Sequence, residues 1–222
     1  MTRRVFITGA SRGIGQAIAQ KLEAEGCEII KPSSKELDLS DISSVEAYLK
    51  NNSTLEADIL INNAGENKIK TMDELTLSDW LRIQNVNMNS VFLLTQFFGK
   101  KMCLKKSGHI LNIASIYSFL GRPGRAAYST SKSGLNGFTR VCALEYGPTN
   151  VIVNSMSPGF VNTDLTRQNN SIEMIKHLES LTALKRMAST SEIAEFASFL
   201  VSQKNTYITG QNLVIDGGFS IQ

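Results

Sequence analysis

The sequence predicts a doubly wound α/β domain, a parallel sheet with helices packed on both faces. Three observations predict it. Six short apolar runs rich in β-branched residues recur along the chain, stretches of helical period separate most of them, and no composition shift divides the 222 residues. Such runs, bounded by turn formers, suit strands buried on both faces, where there is no wet face to demand alternation. Strand–helix–strand alternation over the whole length then implies parallel pairing with right-handed crossovers. A chain this long buries roughly 70% of its unfolded surface and needs no disulfide or metal staples. One domain, residues 1–222, is expected.

The elements follow in order. Val5-Phe6-Ile7 is the first strand, running straight into the glycine-rich stretch Thr8–Gly15. Ile14, Ala17, Ile18 and Leu22 then recur at helical spacing until Gly26. Glu28-Ile29-Ile30 is the second strand. Only residues 32–37 separate the run at 28–31 from Asp38-Leu39. A crossover helix needs about 10–12 residues, so a bare loop is expected here, with a shortened connection between strands 2 and 3. Asp58–Ile61, His109–Ile113, Val151–Val153 and Leu213–Ile215 supply the other strands. Helices are expected at about 76–105, 129–146 and 190–202, the last announced by the capping sequence Ser189-Thr190-Ser191-Glu192.

Composition excludes several function classes. There are 23 basic and 20 acidic residues, and no basic block beyond Lys100, Lys101, Lys105 and Lys106, so nucleic acid is not the expected partner. Three scattered cysteines and two histidines give neither a disulfide framework nor a zinc site, so no metal is expected. The opening residues lack the apolar core of a signal peptide, and no run approaches a membrane span of ~20 residues. A cytoplasmic protein with no membrane partner is expected.

Polar residues gather where strands end. Gly9, Gly13 and Gly15 follow one strand and open a helix, so the backbone can turn tightly and approach a pyrophosphate at the helix N-terminus. Asn62-Asn63-Ala64-Gly65, Ser115, and Pro158-Gly159 with Thr163 follow three other strands at the same edge, where open α/β sheets bind ligands. Tyr128 and Lys132, at i and i+4, share one helical face. A cation beside a phenol favours the phenolate, so a Tyr128 pKa below its ordinary value near 10 is expected.

These motifs together resemble the short-chain dehydrogenase/reductase family, in its single-domain, 3-oxoacyl reductase-like branch, over Arg4–Phe219. The resemblance rests on T-G-x-x-x-G-x-G at 8–15, N-N-A-G at 62–65, Ser115 thirteen residues before Tyr128, Y-x-x-x-K at 128–132, P-G-x-x-x-T at 158–163, Asn87 within V-N-M-N-S-V-F, and I-D-G-G at 215–218. It implies a Rossmann-like fold and a catalytic tetrad of Asn87, Ser115, Tyr128 and Lys132. In that scheme Tyr128 donates the proton and Ser115 hydrogen-bonds the substrate oxygen. Lys132 tunes Tyr128 and holds the ribose, and Asn87 supports a water leading to Lys132. Cofactor contacts are implied at Gly9, Ser11, Arg12, Gly13, Ile14, Gly15, Ser33, Asp38, Asn63, Ala64, Gly65, Tyr128, Lys132, Pro158, Gly159, Val161 and Thr163. Asp38 would meet the adenine amine, and Thr163 would cap the nicotinamide amide. Three departures stand out: the short loop 32–37, Ala114 where a second serine is common, and Ser90 in place of a glycine.

The implied reaction is hydride transfer between a nicotinamide and a ketone, aldehyde or secondary alcohol. A 3-oxoacyl thioester leads the substrates, and a sugar or other polar intermediate is the alternative. A dinucleotide-sensing regulator would have no use for Ser115 and Tyr128 together. Family spacing puts Ser33 where an acid would select NAD, and Arg12, Lys31 and Lys35 add positive potential, so NADP is expected. Glu36 could take the acid's part instead, which would select NAD. Segment 165–187 is the expected lid, polar through Thr166, Arg167, Gln168, Asn169 and Asn170. Ile172, Met174, Ile175, Leu178 and Leu181 follow at helical spacing, as ordinary packing or as an acyl groove. Tyr117, Phe119, Arg122 and Arg125 flank the pocket's other side. The family implies a homotetramer or homodimer, and the apolar surplus at Val91, Phe92, Leu94, Phe97, Phe98, Leu135, Phe138 and Val141 agrees with it.

Overall fold

Six strands form one parallel sheet in the order β2-β1-β3-β4-β5-β6, in a computed structural model that describes residues 2–168 and 171–221. The strands are β1 (Arg4–Ile7), β2 (Glu28–Ile30), β3 (Ile59–Asn62), β4 (Gly108–Ile113), β5 (Val151–Pro158) and β6 (Asn212–Ile215). The strand order reverses between β1 and β3, the switch point at which such sheets open a crevice. Each strand splits its apolar residues between two cores. Val5, Ile7, Ile59, Ile61, Leu111, Ile113 and Met156 face α1 (Gly13–Ala24) and α8 (Thr190–Val201). Phe6, Leu60, Ile110, Val151 and Val153 face α2 (Ile42–Asn51), α4 (Ser90–Lys105) and α5 (Ala126–Tyr146). No helix among the described residues is long and apolar enough to cross a membrane.

Strand β5 runs five residues past the apolar run that announced it. Asn154, Ser155 and Ser157 are buried there, and they hide the strand from a hydropathy reading. Their burial is offset by hydrogen bonds, as buried polar groups require. Asn62, Asn112, Ser155 and Asn212 stand in register across β3, β4, β5 and β6. Asn62 Nδ2 donates to Asn112 Oδ1 at 2.8 Å, and Asn112 Nδ2 to Thr139 Oγ1 on α5 at 2.9 Å.

The connection from β2 to β3 corrects one expectation. Residues 32–37 form a loop, but the crossover helix lies beyond it as α2, which sequence periodicity did not indicate. Val45 is its one buried residue, so the apolar signal is faint; Asp41 caps it by accepting from Ser43 N at 2.9 Å. The helix expected at 76–105 is three pieces. These are α3 (Leu77–Gln84), a π-helical turn at Asn85–Asn89, and α4. The extra residue in a π turn re-aims the side chains around it, and Asn87 is fully buried there. The lid comprises α6 (Asp164–Gln168) and α7 (Ile172–Ser180). Asn169 and Asn170, expected in the polar part of the lid, lie outside the described residues. Of the apolar stripe only Leu178 is buried, while Ile172 and Met174 are exposed.

Candidate active site

The glycine loop between β1 and α1 is shaped by what it packs against. Gly9 and Gly13 adopt φ of +66° and +58°, in the left-handed region that favours glycine. A Cβ at Gly9 would stand 2.8 Å from Ala64 Cα, and one at Gly15 would collide with the Gly9 carbonyl and the Asn63 amide. Thr8 and Asn63 lace the loop to the end of β3. Thr8 Oγ1 accepts from the backbone N–H of Asn63 and Ala64 at 3.1 and 3.0 Å, and Asn63 Nδ2 donates to the Thr8 and Gly9 carbonyls at 3.0 Å. The Asn63 amide thus braces the loop at the strand end where the sequence also leads one to expect a cofactor contact.

This cradle fits a dinucleotide. Arg12 occupies the N-cap of α1 in extended conformation and makes no side-chain cap, so the first-turn N–H groups are left for an anion. Ser11 and Arg12 are exposed at its rim, and Ile14 packs inward on the core. The loop after β5 closes the crevice from the other side. A Cβ at Gly13 would touch Thr163 at 3.5 Å, and one at Gly159 would stand 2.7 Å from Asp216 Cα. Val161 pairs with Ala188 in an isolated bridge. Thr163 Oγ1 accepts from Thr166 N at 3.1 Å.

At the end of β2 a carboxylate takes the serine's donors. Glu36 Oε2 accepts from both Ser33 N and Ser33 Oγ at 2.8 Å, which holds the carboxyl below its usual range. The sequence reading had offered the Ser33 hydroxyl to a ligand phosphate. In the structure that hydroxyl is bound to the charge that would repel one. Asp38 turns its carboxylate back on Ser40, accepting from its N–H at 2.9 Å and its hydroxyl at 2.8 Å.

The implied tetrad converges at the ends of β4 and the head of α5. Ser115 is buried, with its hydroxyl accepting from Tyr117 N at 3.2 Å. Lys132 is 3% exposed and donates from Nζ to the Ile113 carbonyl at 2.6 Å, with Nζ 5.7 Å from the Tyr128 ring centroid. Asn87 Oδ1 accepts from Glu66 N at 2.8 Å, and its Nδ2 donates to Glu66 O and Ser131 Oγ. Gly65 lies between Asn87 and Lys132, since a Cβ there would be 3.7 Å from Asn87 Oδ1 and 3.4 Å from Lys132 Nζ.

Electrostatics reverses one expectation. Burial pushes the Tyr128 phenol up, and the neighbouring Ser115 hydroxyl and the charge of Arg125 only partly offset it. The net shift of the phenol is upward although Lys132 stands one helical turn away, and burial drives the lysine itself toward neutrality, to about 8. Sequence reasoning also missed Ser131, fully buried, whose hydroxyl donates to the Tyr128 carbonyl at 2.7 Å while receiving Asn87 Nδ2 at 2.9 Å. Its signal was available: position i+3 from Tyr128 lies on the inward face of the helix.

Beside these residues opens a cavity of about 570 Å³, walled by Tyr117, Leu120 and Arg122 on one side and by Phe160, His177, Leu178 and Phe219 on the other. The Phe160 and Phe219 rings meet edge-on at 4.9 Å.

Comparison with known proteins places this geometry among relatives. A family model described as enoyl-(acyl carrier protein) reductase matches residues 33–220. The chain is 36% identical to the 3-oxoacyl-[acyl-carrier-protein] reductase FabG of Buchnera aphidicola, over 96% of this chain and 95% of the relative. Among solved structures, a 4-hydroxyisoleucine dehydrogenase complexed with NADH superposes with a TM-score of 0.93 at 29% identity, covering all of both chains. A gluconate 5-dehydrogenase from Burkholderia cenocepacia, in complex with NADP and tartrate, gives 0.91 at 27%, covering 99% of this chain and 96% of that one.

Proposed function

Since this chain belongs to the short-chain dehydrogenase/reductase family of NAD(P)-dependent oxidoreductases, we propose that it reduces the keto group of a 3-oxoacyl compound with NADPH, through Asn87, Ser115, Tyr128 and Lys132. The carrying observation is the meeting of Ser115, Tyr128 and Lys132 at the strand ends, in the same crevice as an uncapped, glycine-lined helix N-terminus. Bound in that cradle, the dinucleotide would supply a hydride to the carbonyl carbon. Gly9, Ser11, Arg12, Gly13, Ile14 and Gly15 would hold its pyrophosphate end, and Ala64, Gly65, Pro158, Gly159, Val161 and Thr163 would wall the rest.

The chain's own part is proton handling. Ser115 donates a hydrogen bond to the substrate oxygen, and Tyr128 gives that oxygen its proton as negative charge develops. A reduction consumes the protonated phenol, and burial keeps that form dominant at neutral pH. The Lys132 ammonium would stabilise the phenolate left behind and would hold the ribose hydroxyls of the bound dinucleotide. Ser131 and Asn87 are positioning residues: they fix the first turn of α5 and the Gly65–Glu66 backbone around the lysine.

A second reading, an oxo acid or hydroxy acid as substrate, is favoured by Arg122 in the cavity wall, by Arg125 over the ring of Tyr117, and by the tartrate complex of the gluconate 5-dehydrogenase. In either case the protein works in the cytoplasm as a homo-oligomer, the exposed faces of α4 and α5 being the contact surfaces. Tyr128→Phe tests the reaction. It should cost about 10²–10⁴-fold in kcat, as loss of a positioned acid does, while the NADPH Kd stays within about twofold. Turnover within tenfold of wild type would remove Tyr128 as the acid.

A further inference from the structure

Among the described residues, two cations near the cavity have no counter-ion. Arg125, at the head of α5, is partly buried; its guanidinium carbon lies 5.1 Å from the centroid of the Tyr117 ring. Arg122 Nη1 donates to the hydroxyl of the same tyrosine at 2.8 Å. Tyr117 therefore carries one arginine over its face and the other at its hydroxyl, and both Tyr117 and Arg122 line the cavity. Among the described residues, no Asp or Glu comes within ion-pair distance of either guanidinium, and the Arg125 side chain donates no hydrogen bond. Among the described residues, the cavity wall has no Asp or Glu, and its titratable residue besides Tyr117 and Arg122 is His177 from α7.

Burying a guanidinium without an anion is costly, because water is stripped from the charge and nothing replaces it. The burden shows as an Arg125 pKa lowered chiefly by burial, with Arg122 lowering it further. Such a group is a receptor awaiting its ligand. A carboxylate would restore charge-assisted, bidentate hydrogen bonds of the kind a planar guanidinium makes best. Arg125 is the N-cap residue of α5, three positions before Tyr128 and so on the same side of the helix, which places an anion held there near the reacting carbonyl.

We propose that Arg125, assisted by Arg122 through Tyr117, binds a carboxylate carried by the substrate itself, so that the preferred substrate is a free oxo acid with its carboxylate a few bonds from the keto group. This rests on the reductase reading of the site and narrows its substrate class. A neutral thioester would leave both arginines unpaired.

Binding and turnover separate the two claims. Calorimetric titration of the NADP⁺-loaded protein with 3-oxobutanoate, 4-oxopentanoate and 5-oxohexanoate should show at least one acid binding about tenfold or more tighter than its methyl ester. That preference should shrink toward unity in Arg125→Gln and survive largely in Arg125→Lys, with NADPH affinity as the control for folding. Acids and esters of equal affinity in the wild type would overturn the proposal, whether or not any is turned over. A preference that Arg125→Gln leaves intact would overturn it as well. The reductase reading is tested apart, by NADPH oxidation with acetoacetyl-CoA alongside the acids. Reduction of the thioester together with equal binding of acids and esters would sink the carboxylate receptor and leave the reductase standing. Acid-selective binding without any turnover would do the reverse.

Discussion

A phenol pushed up by burial and an amine pushed down toward 8 make Tyr128 and Lys132 a pair with opposed titrations. The sign for the lysine is fixed by its direction. It is ammonium below about 8 and amine above, so its support for a developing phenolate is lost as pH rises. The rate of reduction at saturating NADPH should fall as pH passes upward through about 8, and Lys132→Ala should remove that limb while weakening cofactor binding. A profile flat from pH 7 to 9.5 in the wild type would contradict it. Glu36 sets a second test. Its carboxylate stands on Ser33 at the end of β2, where a 2′-phosphate would come. Glu36→Gln should tighten NADPH binding roughly three- to tenfold by removing like-charge repulsion, and Arg12→Ala should loosen it. The motif residues were readable because chemistry demands those types at those spacings. The direction of the Tyr128 shift was not, because burial belongs to the packed molecule and a helical i, i+4 pair does not record it.

The elements whose signals were local were legible in the sequence. Helix α8 starts at its capping box: Ser189 Oγ accepts from Glu192 N at 3.2 Å while Glu192 Oε2 accepts from Ser189 N at 2.8 Å. Arg186 adds bonds to the same carboxylate at 2.8 and 2.7 Å. Ser189→Ala should cost about 1 kcal/mol in urea unfolding, the usual worth of a cap; an unchanged midpoint would mean the box is redundant. The elements that escaped had weak or broken signals. Helix α2 buries only Val45, and the π turn at Asn85–Asn89 interrupts what reads as one continuous helical stretch. Strand β5 carries three polar residues in eight yet is wholly interior save for Ile152, which hydropathy alone cannot register.

At the scale of the molecule, the parallel sheet follows from the alternation of strands and helices, and the outer faces show what the fold leaves uncovered. Leu104 and Leu144 are each 79% exposed, and Val141 and Phe92 are about half exposed, all on α4 and α5. The sequence marked these helices as over-apolar, but could not tell inward from outward residues. Val91, Leu94, Phe98 and Leu135 proved buried. A protein with so much apolar surface on two adjacent helices should associate. Light scattering at micromolar concentration should give a mass at least twice the 24.4 kDa of the chain. Leu144→Glu with Val141→Glu should lower it; a wild-type monomer would refute the contact surface.

The row of Asn62, Asn112, Ser155 and Asn212 across four strands has a consequence for how the sheet finds its pairing. Parallel strands that are apolar on both faces carry little alternation, so a neighbour shifted along its length would bury nearly as much hydrocarbon as the native one. The row works as a keyway. Sliding β4 against β3 moves Asn112 away from Asn62 and sets an amide against Ile or Leu, at the cost of an unsatisfied polar group in the interior. The penalty falls only on misaligned sheets. The same side chains that make β5 hard to see in the sequence thereby reject wrong registers during assembly, before any ligand has arrived to select the right one.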